Sequence, residues 1–208
     1  MLKASYVLAA SVAVAVLVPI SLAITGIRPQ MGQSIGTYDN AESRIEDAKG
    51  DVEAVYQNAR TETETIPQAR DYHDILGASV VKRGEAFFLT INLAGNPNNN
   101  ENYETLYRWH IITTSPITNR EQHYTIMFPN FARGNSTTDG WYFAVYDQTV
   151  DTFIMRPTRI SDMPEDRVEF PLEDFYIGAP TEFVYWVDVS VRLNATLGEP
   201  DYLLDYAP

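Results

Sequence analysis

The sequence predicts a mainly β fold. It reads as an antiparallel two-sheet β-sandwich, jelly-roll or immunoglobulin-like, preceded by an N-terminal transmembrane or signal helix and a short amphipathic helix. Three observations point there. Between residues 75 and 193 apolar and polar residues alternate with period two in run after run, as in strands buried on one face. Stretches rich in Gly, Asn, Asp and Ser at 95–102, 130–139 and 161–166 separate the runs as turns. No helical periodicity is sustained among them, and eight short strands in about 140 residues is sandwich spacing.

The N-terminal element is Tyr6–Ile27, an apolar run without a charge between Lys3 and Arg28. About twenty apolar residues span a bilayer, so 1–27 reads as a transmembrane anchor or as a signal segment cleaved after Ala23. A pilin-type leader cut after Ala4 is the third reading, with the apolar helix left as a filament core. All three place the remainder outside the cytoplasm, on a single-pass membrane anchor or secreted. The acceptor triplets at Asn135 and Asn194, each Asn-x-Thr, fit N-glycosylation there.

Residues 28–65 read as a linker and helical stalk. Residues 28–38 are rich in Gly, Gln and Ser. Asp39 or Asn40 then caps a helix running to about Arg60, with Ala41, Ile45, Ala48, Val52, Val55 and Tyr56 as a narrow apolar stripe. Gly50 weakens its middle by about 1 kcal/mol. TETETIPQ at 61–68 is a polar break, and the sandwich domain spans 66–208.

Within that domain Ala78–Val81 is a first short strand. Phe87, Leu89, Ile91 and Leu93 share one face of the next; Tyr107, Trp109 and Ile111, then Tyr124, Ile126 and Phe128, then Trp141, Phe143 and Val145 repeat the pattern. Phe153–Met155 and Val168–Phe170 are shorter. The longest run sets Phe183, Tyr185, Val187, Val189, Val191 and Leu193 against Val184, Trp186, Asp188, Ser190 and Arg192.

Composition bounds the partners. The chain has 208 residues, 45% of them hydrophobic, and a formal charge of −13, which repels nucleic acid and anionic lipid surfaces. It has no cysteine, so disulfides, thiolate metal sites and a cysteine nucleophile are excluded. There is no G-x-S-x-G elbow, no H-E-x-x-H and no glycine-rich phosphate loop.

Asp71–x–x–Asp74–Ile75–x–x–Ala78–x–Val80, the strand after it, and the close on Asp205–Tyr206–Ala207–Pro208 resemble extracellular carbohydrate-binding-module-like sandwiches of the DOMON-like and family 9 type. The resemblance covers about residues 66–208. It implies an extracytoplasmic sandwich whose ligand is a sugar, haem or calcium. Haem ligation in that group uses a Met and a His, which here implies Met127 with His110 or His123.

Two groups of residues carry candidate chemistry. Asp71 and Asp74, with Asp201 and Asp205 from the other chain end, supply oxygens for calcium if the first and last strands lie together; otherwise these acids cap strand ends and meet water or Arg70. Phe88, Arg108, His110, Tyr142, Tyr146, Trp186 and Arg192 point away from the aliphatic side, where a wet face normally carries Thr, Lys, Glu and Ser. Aromatic rings mixed with Arg and His form stacking surfaces with polar handles, so the face is either a ligand surface or a second, covered core. His73, His110 and His123 are the possible ligands of a copper or zinc centre, with His110 and His123 meeting if their strands are neighbours. The expected function is a membrane-anchored, non-catalytic binding module for carbohydrate or a surface protein. The alternative is a pilin-like or envelope subunit that self-assembles through its apolar helix.

Overall fold

The computed structural model describes residues 35–55, 70–101, 104–131, 139–192 and 202–207. The apolar segment at 6–27, the stalk beyond residue 55, the acceptor residues Asn135 and Asn194, and Asp201 lie outside the described residues.

Twelve strands are present among the described residues: β1 (Gly36–Tyr38), β2 (Ser43–Glu46), β3 (Glu53–Val55), β4 (Ile75–Arg83), β5 (Ala86–Leu93), β6 (Glu104–Thr114), β7 (Glu121–Phe131), β8 (Gly140–Asp147), β9 (Thr152–Arg159), β10 (Arg167–Glu173), β11 (Phe183–Arg192) and β12 (Tyr202–Ala207). The larger sheet runs β3-β12-β11-β6-β7-β8-β9, with β1 also paired to β11; the smaller runs β10-β5-β4-β2. Every pairing is antiparallel. All eight runs predicted as strands are strands, β4 to β11.

The alternation does what its period requires. Tyr107, Trp109 and Ile111 of β6 face Val189, Val187 and Tyr185 of β11 in register, and their side chains fill the space between the sheets with Phe87, Leu89 and Ile91 of β5. Aromatic pairs bridge the layers: Phe143 of β8 stacks on Phe170 of β10 at 4.1 Å, and Tyr38 of β1 meets Phe87 edge-on at 5.3 Å. Such pairs add roughly 0.5–1.5 kcal/mol each beyond their buried area.

The helix expected at 40–60 is corrected over its described part: residues 36–55 hold β1, β2 and β3. Long-range pairing overrides the helical spacing. Ile45 sits opposite Ala78 of β4 and is buried in the common core. Gly50, at φ 87°, turns the chain through the left-handed region where a right-handed helix would have its middle. The sandwich therefore begins by residue 36, inside what the sequence suggests is a linker. Gly77 makes the β2–β4 contact possible, since a Cβ there would lie 2.4 Å from the Ile45 carbonyl oxygen.

Candidate functional site

Carboxylates from three parts of the chain meet where the first strands reach the last. Asp47 and Asp51 lie on the loop between β2 and β3, Asp74 precedes β4, and Asp205 stands in β12. Asp47, Asp51 and Asp205 each offer an oxygen within 4.8 Å of the others. Asp205 pairs with Val189 in register, which turns its carboxylate toward the core, where it is 2% exposed. Its Oδ2 accepts the Ile75 N–H at 2.6 Å and its Oδ1 the Tyr206 N–H at 2.9 Å. Asp74 accepts the Gly50 N–H at 3.0 and 3.1 Å, tying the loop to the mouth of β4. One Asp47 oxygen accepts the Ala48 N–H at 2.9 Å; the other is buried without a hydrogen-bond partner.

Burial pushes the Asp205 carboxyl up to about 7, and the charges of Asp47, Asp51 and Asp74 add to it against the Ile75 hydrogen bond. Burial likewise lifts Asp47 to about 7, helped by Asp51 and Asp74. Asp74 is raised for the same first reason. An all-oxygen donor set of this kind suits a hard cation such as calcium, whose charge would reverse these shifts.

Of the four acids expected there, Asp74 and Asp205 are brought together. Asp71, in a 3₁₀ turn at 71–73, contributes only its charge toward Asp74. Asp47 and Asp51 are new members. Their signal in the sequence was the turn-forming Asp47–Ala48–Lys49–Gly50–Asp51. His73 is no ligand in this group: it is buried, accepts the Arg70 N–H on Nδ1 at 3.1 Å, and burial holds it down to about 3.

The seven residues expected to share one outward face do not. Phe88 belongs to β5 in the smaller sheet, the other six to the larger. In the larger sheet Asp188 of β11 lies opposite Arg108 of β6, and Trp186 opposite His110. Arg108 donates from Nε to Asp188 Oδ1 at 2.5 Å, its Nη2 lies in ion-pair contact with the same oxygen, and His110 Nε2 meets Asp188 Oδ2 at 2.8 Å. The His110 ring stacks on Trp186 at 4.8 Å, 2° from parallel. Arg108, His110 and Trp186 are 2%, 4% and 3% exposed. They form a covered polar layer rather than an open stacking surface, because each charge has a partner that permits its burial. Tyr142 and Tyr146 on β8 are half-buried. Tyr142 meets Phe131 edge-on, and the Tyr146 hydroxyl donates to Asp151, which pushes its pKa up to about 12. Arg192 ends β11 opposite Glu104.

The accessible face is the outer side of the smaller sheet. Registers place Ser79 of β4, Thr90 of β5 and Glu169 of β10 in one row, with Val81 and Phe88 in the next. These residues, with Arg83, Asn92 and Arg167, line a shallow depression of about 300 Å³. The Arg83 guanidinium lies 4.8 Å over the Phe88 ring. Arg167 pairs with Glu169 at 3.1 Å and Asp166 at 2.9 Å. An aromatic ring, two guanidiniums, an amide and hydroxyls thus surround one concave patch.

No protein-family model matches this chain, and no curated protein or solved structure matches it.

Proposed function

We propose that this chain is a non-catalytic binding module, held outside the cytoplasm by the apolar segment at Tyr6–Ile27, that presents the outer face of its smaller sheet to a carbohydrate. The depression around Phe88 is the observation that carries the reading. A sugar's C–H face stacks on an aromatic ring, and its hydroxyls suit Asn92, Thr90, Ser79 and the guanidinium of Arg83. At about 300 Å³ the site is at the small end for ligand pockets, which fits one or two sugar rings lying on a surface. Calcium at the acid corner belongs to the same reading as a clamp between the first strands and β12, favoured by the three converging carboxylates of Asp47, Asp51 and Asp205 with the charge of Asp74 nearby.

The test is a glycan array probed with the full chain in detergent, in parallel with Phe88→Ala. A glycan retained by the native chain and lost at least about tenfold by Phe88→Ala, at unchanged melting temperature, supports the reading. Failure to retain any glycan, or equal retention by the variant, contradicts it.

A further inference from the structure

We propose that His110 and His123 form a two-imidazole site for a soft monovalent metal ion, copper(I). The site stands apart from the sheet face assigned to carbohydrate and does not depend on that reading. β6 and β7 are hydrogen-bonded neighbours with Ile112 opposite His123, so His110 and His123 are diagonal cross-strand residues on one face. Their ring centroids are 5.8 Å apart. With a metal–nitrogen bond of about 2.0 Å, two imidazoles sharing one ion have centroids at most roughly 6.3 Å apart, so the observed separation is within reach of a shared ion. At 5.8 Å the corresponding nitrogen–metal–nitrogen angle is about 130°, wider than tetrahedral and within the range of two- and three-coordinate copper(I).

Each ring keeps one nitrogen for a ligand. His110 uses Nε2 on Asp188, while its Nδ1 is buried without a hydrogen-bond partner; His123 Nε2 is also buried without one. A carboxylate on the far nitrogen of an imidazole fixes its tautomer and raises its basicity as a metal ligand. Here Asp188 leaves the lone pair on Nδ1, and the stacked Trp186 holds the ring plane.

Charge selects the ion. Arg108 and Asp188 cancel at 2.5 Å, so that pair adds no net charge beside the imidazoles. A monovalent ion adds one buried charge, whereas zinc(II) adds two, and the desolvation cost rises steeply with charge. Trp186 lies 4.8 Å from His110 and 5.4 Å from His123. The midpoint between the imidazoles is therefore about 4 Å from the indole centroid, inside the roughly 6 Å reach of a cation–π contact.

The test supplies copper(I) anaerobically, as its complex with a chromophoric bidentate chelator, to the full chain in detergent. The native chain is expected to withdraw one equivalent. His123→Gln removes one of the two ligands and should weaken binding by more than the roughly 10- to 100-fold typical of losing an outer-shell partner. His123→Met, which restores a soft ligand, should retain most of it, with melting temperature and circular dichroism confirming that both variants fold. No copper(I) taken from the chelator, or equal affinity in His123→Gln, overturns the site. Tighter binding of zinc(II) than of copper(I) overturns the choice of metal.

Discussion

The two outer faces of the sandwich carry similar residue types and treat them in opposite ways. On the larger sheet Arg108, His110 and Trp186 are closed off and bonded around Asp188; on the smaller, Arg83, Arg167 and Phe88 stand around an accessible depression. An arginine in an alternating strand therefore says nothing by itself about solvent. What decides is whether a carboxylate lies directly across the ladder, as Asp188 does from Arg108. Burial alone would raise the Asp188 carboxyl, but the charges of Arg108 and His110 and their hydrogen bonds outweigh it and hold it below the ordinary value. Asp205, equally buried and surrounded by other acids, goes the other way.

Removing one partner breaks this contrast most forcefully. Arg108→Met leaves Asp188 buried beside His110 alone, and should cost about 3–5 kcal/mol in urea unfolding. A loss under about 1 kcal/mol would mean that the larger sheet's outer face is wet.

The acid corner gives the next effect, with the sign set by its raised carboxyls. Asp47 and Asp205 keep their protons up to about pH 7 in the folded chain, whereas unfolded aspartate releases its proton near 4. The unfolded state therefore binds fewer protons between about pH 4 and 7, and stability falls as pH rises through that window. Treating the two as one coupled titration and discounting Asp47 for its solvent contact leaves roughly 2–4 kcal/mol between pH 4.5 and 7.5. Chelated protein unfolded in denaturant across that range should show this slope; a flat profile would mean that Asp47 and Asp205 are not raised in the folded chain. Asp188, held low, contributes oppositely, losing stability only as pH falls below about 4.

Calcium sharpens the same comparison. At a hundred times its dissociation constant it should add about 2.7 kcal/mol, a melting shift of roughly 5–10 °C for a domain of this size, and flatten the pH slope. Asp51→Asn should remove most of the shift, while magnesium at matched ionic strength should not reproduce it.

The smallest effect belongs to the accessible face. Arg83→Met should change stability by less than about 0.5 kcal/mol, since its guanidinium is exposed and only its contact with the Phe88 ring is lost.

Period-two alternation made β4 to β11 legible, because each run is long enough to repeat. β1 and β3 hold three residues and β2 four, too few for a period to show, and their partners lie far along the chain, Ile45 with Ala78 and Gly36 with Tyr185. Reading 40–60 as a helix hid Asp47 and Asp51, although the meeting of Asp74 with Asp205 followed from expecting the chain ends of the sandwich to lie together. Alternation also tells which side of a strand is apolar without telling which sheet the strand joins. For that reason alternation alone groups Phe88 with Arg108, and it carries no sign of the Arg108–Asp188 pair, eighty positions apart.

Which face is available to a ligand can be measured directly, because the chain contains no cysteine. Single variants Thr90→Cys, on the smaller sheet's outer face, and Ser190→Cys, beside Asp188 on the larger, place one thiol on each. Labelling with a maleimide under native conditions should modify Thr90→Cys at least about a hundredfold faster, since the buried thiol reacts only through openings that cost several kcal/mol. Comparable rates at the two positions would contradict the assignment of the smaller sheet as the binding face.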